Sequence, residues 1–273
     1  MIRRFLFSLA AITALSIPVA QSALAEGTVP TLAQLEVLPG WDRADGTRVV
    51  GLHITLPPGW KTYWRAPGDA GIPPLIELNG SRNLSAMVPE WPTPHVFSQN
   101  GMRSVGYRDD VILPIILTPE SPDAPISLRG RLQIGICKDI CVPAELMFDA
   151  ALPPGSARRD PQISAALADR PVAGRDAGLG RITCSVSVTA DGLSLSADFL
   201  LPSTGGTEYA VVETANPEVW VAEAVTRRRG DMLHVQTEMM HVEGGGFALD
   251  RSGIRITVLG SDRAVDIQGC PAP

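Results

Sequence analysis

From Val49 onward, short apolar runs alternate with turn clusters, and the apolar positions do not recur at helical spacing. The runs 49–56 (Val-Val-Gly-Leu-His-Ile-Thr-Leu), 74–78, 111–117, 126–134 and 146–152 read as strands. Between them stand Leu56-Pro-Pro-Gly59, Ala66-Pro-Gly-Asp69 and Thr118-Pro-Glu-Ser-Pro122. Proline removes a ladder donor and glycine weakens a strand interior, so such clusters mark turns. Strands at this spacing predict a β-sandwich. Residues 153–180 change character, with Pro153-Pro-Gly-Ser156, a short helix-like run Ile163-Ser-Ala-Ala-Leu-Ala168, and Pro171-Val-Ala-Gly174. This segment reads as a linker with one or two helical turns. Alternation resumes over 181–188, 193–197, 209–213, 219–221 and 254–259, which predicts a second, smaller sandwich. The expected fold is all-β, with domains over 26–152 and 181–273 joined by residues 153–180.

Upstream of this pattern lies a different one. Arg3 and Arg4 precede an apolar run from Phe5 to Ala20, interrupted by Pro18, and Ala23-Leu24-Ala25 supplies small residues for cleavage. Residues 1–25 therefore read as a signal peptide, cut after Ala25. The run is shorter than the roughly 20 residues that span a bilayer, and no later segment reaches that length. A soluble, exported chain, periplasmic in a double-membraned cell, is expected. Cleavage would remove two arginines and no acid, taking the formal net charge from −6 to −8. That balance argues against nucleic acid or an anionic membrane as partner. The 26 glycines and 24 prolines disfavour long helices and suit many strands joined by turns.

Four cysteines in an exported chain imply up to two disulfides. Strand phase sorts them. Leu128, Leu132, Ile134 and Ile136 share one face, while Arg129, Arg131, Gln133, Gly135 and Cys137 share the other, so Cys137 is predicted on the accessible side. Ile182, Cys184, Val186 and Val188 share a face opposite Arg181, Thr183, Ser185 and Ser187, so Cys184 is predicted to point into the core. Cys137 and Cys141 can pair only if Lys138-Asp139-Ile140 turns, and the strand before them with Pro143 after them favours a tight hairpin loop over a helical turn. A short closed loop gains least from cross-linking, which suits a bond that opens and closes; Cys184 with Cys270 suits a structural disulfide.

The surrounding chemistry is sparse. Lys138 is one of only two lysines in the chain; its charge favours a thiolate, and Asp139 opposes it. Two thiolates could hold Cu(I), with a third ligand from His53, His95, His234 or His241, but no histidine is adjacent in sequence and the spacing is wrong for zinc. No cofactor and no metal are therefore expected. Trp60, Tyr63 and Trp64 follow a Pro-Pro-Gly turn and could either line a partner surface or fill the core. Arg227-Arg-Arg229 reads as a solvated hairpin tip and Gly244-Gly-Gly246 as a turn.

Four blocks carry a family resemblance: Pro58-Gly-Trp-Lys-Thr-Tyr-Trp-Arg-Ala-Pro-Gly-Asp-Ala-Gly-Ile-Pro73, Asn100-Gly-Met-Arg-Ser-Val-Gly-Tyr107, Leu113-Pro-Ile115 and Gly135-Ile-Cys-Lys-Asp-Ile-Cys-Val-Pro-Ala144. In this order they resemble the N-terminal periplasmic region of the ScsB and DsbD thiol:disulfide interchange proteins, over about residues 35 to 152. The resemblance implies an immunoglobulin-like sandwich whose pair, Cys137 and Cys141, takes electrons from a thioredoxin-like or membrane-embedded thiol reductase and passes them to disulfide-bearing periplasmic proteins. ScsB-like members carry a second β domain, matching residues 181–273. Full-length members continue into membrane and thioredoxin-like domains that these 273 residues do not contain, so a separate donor is expected. The resemblance further implies that Cys141 joins the partner and that an aromatic cap covers the disulfide, for which Phe97 is the candidate. The rival expectations are a Cu(I)-handling module, which fits a family linked to copper tolerance, and a scaffold with purely structural disulfides.

Overall fold

The computed structural model describes residues 32–69, 71–99 and 101–272; the expected export segment lies outside these. The first half contains β1 (Gln34–Asp42), β2 (Arg48–Thr55), β3 (Lys61–Tyr63), β4 (Leu75–Glu77), β5 (Ala86–Pro89), β6 (His95–Gln99), β7 (Met102–Arg108), β8 (Asp110–Thr118), β9 (Ile126–Cys137) and β10 (Cys141–Leu152). They form two sheets, ordered β1-β2-β8-β5 and β10-β9-β3-β7-β6, with β4 also on β9. Between the sheets, Val50, Leu52, Leu113, Ile115, Leu128, Leu132 and Ile136 build one core with Trp64.

After β10 come α1 (Pro161–Ala168), β11 (Val172–Ala173), a 3-10 turn (Gly174–Ala177), β12 (Ile182–Val188), β13 (Leu193–Leu200), β14 (Tyr209–Glu213), β15 (Val219–Val221), β16 (Val225–Arg229), β17 (Met232–His241), β18 (Arg255–Leu259) and β19 (Ala264–Gln268). Sheets β11-β19-β18-β14 and β12-β13-β17-β15, with β16 also on β17, enclose a second core around Leu195, Phe199, Leu233, Val235, Ile256 and Val258. The architecture is all-β, as expected.

Residues 153–180 are a packed connection. The Asp160 carboxylate accepts from the backbone N–H groups of Gln162 and Ile163, and Pro161 opens α1 at a position where no N–H is needed. Ile163 is fully buried with Leu38, Trp41 and Val49 on the outer face of the β1-β2-β8 sheet. A Cβ at Gly51 would stand 2.9 Å from Ile163 Cγ1, so glycine is what lets the helix approach. Because α1 covers this face, β2 is buried on both sides and reads as a continuous apolar run. The buried Arg48 donates to Asp42, to Pro39 O and to Pro153 O, anchoring the start of the connection.

The two sandwiches share a contact surface. Leu259 and Ala264, with Tyr209 and Val211 beside them, pack into the first core. Arg65 grips Glu213 bidentately at 3.0 and 2.9 Å, and Arg103 pairs with Glu223. A cleft of about 550 Å³ lies between them. At the expected hairpin tip, Arg227 and Arg229 are exposed, whereas Arg228 turns inward to Glu208 and Leu201 O.

Candidate redox site

β9 and β10 pair in register from Leu152↔Ile126 to Cys141↔Cys137, leaving Lys138-Asp139-Ile140 as the loop. This is the hairpin that the sequence favours. It places the two Cα atoms 4.2 Å apart and the sulfurs in a disulfide. Cys184 and Cys270 form the other, with Cα atoms 5.5 Å apart, joining β12 to the segment after β19.

The exposure of the first pair differs from expectation. Cys141 is exposed, but Cys137 is 1 % exposed and counts as buried. The strand phase itself is as read, since Arg129 is exposed and Leu128, Leu132 and Ile134 are buried. What the alternation could not show is that the outer face of β9 is covered near its end. β3 lies beside β9, pairing Lys61 with Cys137 and Thr62 with Ile136, and so brings Tyr63 alongside Gly135. A Cβ at Gly135 would stand 2.9 Å from the Tyr63 ring and 2.9 Å from Ile72. Glycine thus makes room for the ring, and Ile72 closes the side.

Tyr63 is 3 % exposed, and its hydroxyl donates to Cys137 Sγ at 2.8 Å while standing 3.2 Å from Cys141 Sγ. Burial pushes the phenol above its ordinary range, so the O–H stays available as a donor. Alternation along β3 sends the next residue inward. Trp64 is fully buried in the core, so of the two expectations for it the core and not the partner surface is what the structure has, and Trp60 is half-buried against the same core.

Phe97 lies within β6, paired with Ser104 of β7, rather than in a free loop. It is half-buried and lines a pocket of about 330 Å³ with Cys137, Lys61, Arg108 and Lys138. Lys61 Nζ and the Arg108 guanidinium each stand 5.2 Å from the Phe97 ring centroid, within cation–π range. Lys61 also donates to Ser104 Oγ at 3.1 Å, and burial beside Arg108 pushes its ammonium below the usual lysine range.

Sequence reading missed Lys61 and Arg108. One available signal was that both lysines of the chain, Lys61 and Lys138, fall within the two blocks that hold the aromatics and the cysteines. Among the described residues, no group of three or more His, Cys, Asp or Glu side chains is placed to hold a metal.

A buried cysteine bonded to an exposed one at a hairpin tip presents one open end to solvent. Residues 32–153 match the family described as thiol:disulfide interchange protein DsbD, N-terminal. A crystal structure of the N-terminal periplasmic domain of ScsB from Proteus mirabilis matches with a TM-score of 0.69 at 22% identity, covering 89% of this chain and 94% of that one. The common fold therefore extends over both sandwiches. No curated protein matches the chain.

Proposed function

We propose that this chain relays reducing equivalents in the periplasm through Cys137 and Cys141, taking them from a thioredoxin-like or membrane-embedded thiol reductase and giving them to a disulfide-bearing protein. The observation that carries this reading is the asymmetry of the pair. Cys141 is exposed to a donor thiolate, whereas Cys137 is only 1 % exposed.

Attack on Cys141 breaks the Sγ–Sγ bond and forms a mixed disulfide between the donor sulfur and Cys141. Cys137 leaves as a thiolate. The Tyr63 O–H, already 2.8 Å from Cys137 Sγ, stabilises that charge as it develops. The donor's second thiolate then attacks its own sulfur in the mixed disulfide and releases Cys141. The donor is left as a disulfide, and two electrons and two protons reside on Cys137 and Cys141. The reverse sequence reduces an acceptor disulfide.

Periplasmic placement is supported by the export segment expected over residues 1–25 and by the periplasmic origin of the ScsB domain. Titrating the oxidised chain with a reduced thioredoxin-like protein tests the relay. One equivalent should open Cys137–Cys141 and leave Cys184–Cys270 closed. A Cys137–Cys141 bond that stays closed in excess donor would sink this reading in favour of a scaffold.

A further inference from the structure

The redox pocket carries a charge opposite to that of the chain. β9, β3 and β7 are neighbours, and their register sets Cys137 opposite Lys61 and Lys61 opposite Arg108, three residues in a row on the outer face of one sheet. Directly opposed residues hold their Cβ atoms about 5 Å apart. Lys138, the first residue of the hairpin loop, completes the group, its Nζ 3.9 Å from the position a Gly59 Cβ would occupy. Both lysines of a chain with 29 acidic and 23 basic residues thus meet one arginine around a pocket of about 330 Å³ beside Cys137.

The pocket lining holds these three cations and no carboxylate among the described residues. Two carboxylates flank it along the chain. Asp109 accepts from the Gly59 backbone N–H, and Asp139 stands in the hairpin loop. Lys61 Nζ and the Arg108 guanidinium each stand 5.2 Å from the Phe97 ring centroid, so one ring serves both cations. Burial, and after it the neighbouring Arg108 charge, push the Lys61 ammonium below the usual lysine range.

Building on the relay reading, we infer that Lys61, Arg108 and Lys138 form a docking collar for an acidic face on the exchange partner, receiving aspartate or glutamate side chains that flank the partner's reactive cysteine. Because the collar surrounds the pocket beside Cys137 while Cys141 is exposed, a partner held there meets the reactive sulfur in the same encounter. Such complementarity acts chiefly on the encounter rate and is screened by salt.

The test uses the full chain and three cysteine peptides, with the thiol flanked by glutamates, lysines or glutamines. Rates of opening Cys137–Cys141 are compared per thiolate, since flanking charge shifts the peptide thiol itself. At low salt the glutamate peptide should react about ten-fold faster than the lysine peptide. That ratio should fall below about two in 0.5 M salt and in the Arg108→Gln/Lys138→Gln variant. Arg108→Glu/Lys138→Glu should invert the preference, an outcome a misfolded protein would not give. A ratio near one in the unaltered chain, or one that neither variant changes, overturns the inference. No exchange even with the glutamine peptide overturns the relay reading along with it; exchange blind to charge overturns only the collar.

Discussion

The two disulfides occupy opposite kinds of place. Cys137–Cys141 closes a three-residue loop at a hairpin tip, with one sulfur exposed and the other under Tyr63. Cys184–Cys270 spans 86 residues, and its members are 0 and 1 % exposed within the second core. Even the hydrogen bonds around them differ. Arg251 donates to the carbonyls of Cys184 and Cys270 and fixes backbone, whereas Tyr63 donates to sulfur, the atom whose charge changes in exchange. Accessibility and loop length together set the two bonds apart, and under the proposed relay only the exposed short-loop bond turns over.

The largest expected difference is in stability. Loop closure contributes about 4.6 kcal/mol for a separation of 86 residues and about 1.9 kcal/mol for one of four. Cys184→Ala/Cys270→Ala should therefore lose more than twice the unfolding free energy of Cys137→Ala/Cys141→Ala in a denaturant titration. Equal losses would erase the contrast.

Next in size is the inequality within the Cys137–Cys141 pair. With Cys137→Ser, the exposed Cys141 thiolate should attack the disulfide of an oxidised thioredoxin-like protein and hold it as a mixed disulfide; with Cys141→Ser, buried Cys137 should do so about 100-fold more slowly. Comparable trapping, read by mass spectrometry, would mean that the hairpin opens in solution and that the burial of Cys137 does not direct attack.

Tyr63→Phe removes the hydrogen bond to the leaving sulfur and keeps the ring. Hydrogen bonds to charged groups contribute about 1.5–3 kcal/mol, so reduction should slow at least about ten-fold while the thermal midpoint changes little. The phenol is raised above its ordinary value near 10, and it donates only while protonated. The ten-fold difference should thus hold through pH 10 and vanish as pH rises past the folded-state value. A difference that fades between pH 7 and 9 would assign the effect to another group.

The smallest effect concerns Phe97. If its ring limits access to the pair when no partner is bound, Phe97→Ala should raise the rate with glutathione about three-fold and the rate with a thioredoxin-like donor less. Val96→Ala and Ser98→Ala serve as controls. A glutathione rate equal to that of the unaltered chain would remove Phe97 as the cap.

How much of this was legible beforehand depended on whether the relevant contact was local. Alternation exposed the strands around 49–56, 111–117 and 126–134, because in-out periodicity is written residue by residue. β1 escaped notice because Pro39-Gly40 breaks its register between Leu38 and Trp41, and β17 because Gln236, Thr237 and Glu238 interrupt its apolar positions. β3, β6 and β7 were hidden for a related reason. They are short or polar; β3 and most of β7 fall within blocks that read as motifs, and β6 runs for only five residues just before one of them.

The hairpin pairing of Cys137 with Cys141 and the inward phase of Cys184 were therefore set by the sequence itself: a turn of three residues and a period of two need no distant partner. The burial of Cys137, the Tyr63 bond to its sulfur and the meeting of Lys61, Arg108 and Lys138 were decided only by tertiary structure. Each depends on β3 lying between β9 and β7. That adjacency joins residues more than 70 positions apart, as with Tyr63 and Cys137, and is established by burial of Trp64 and Ile136 in a common core rather than by any local preference.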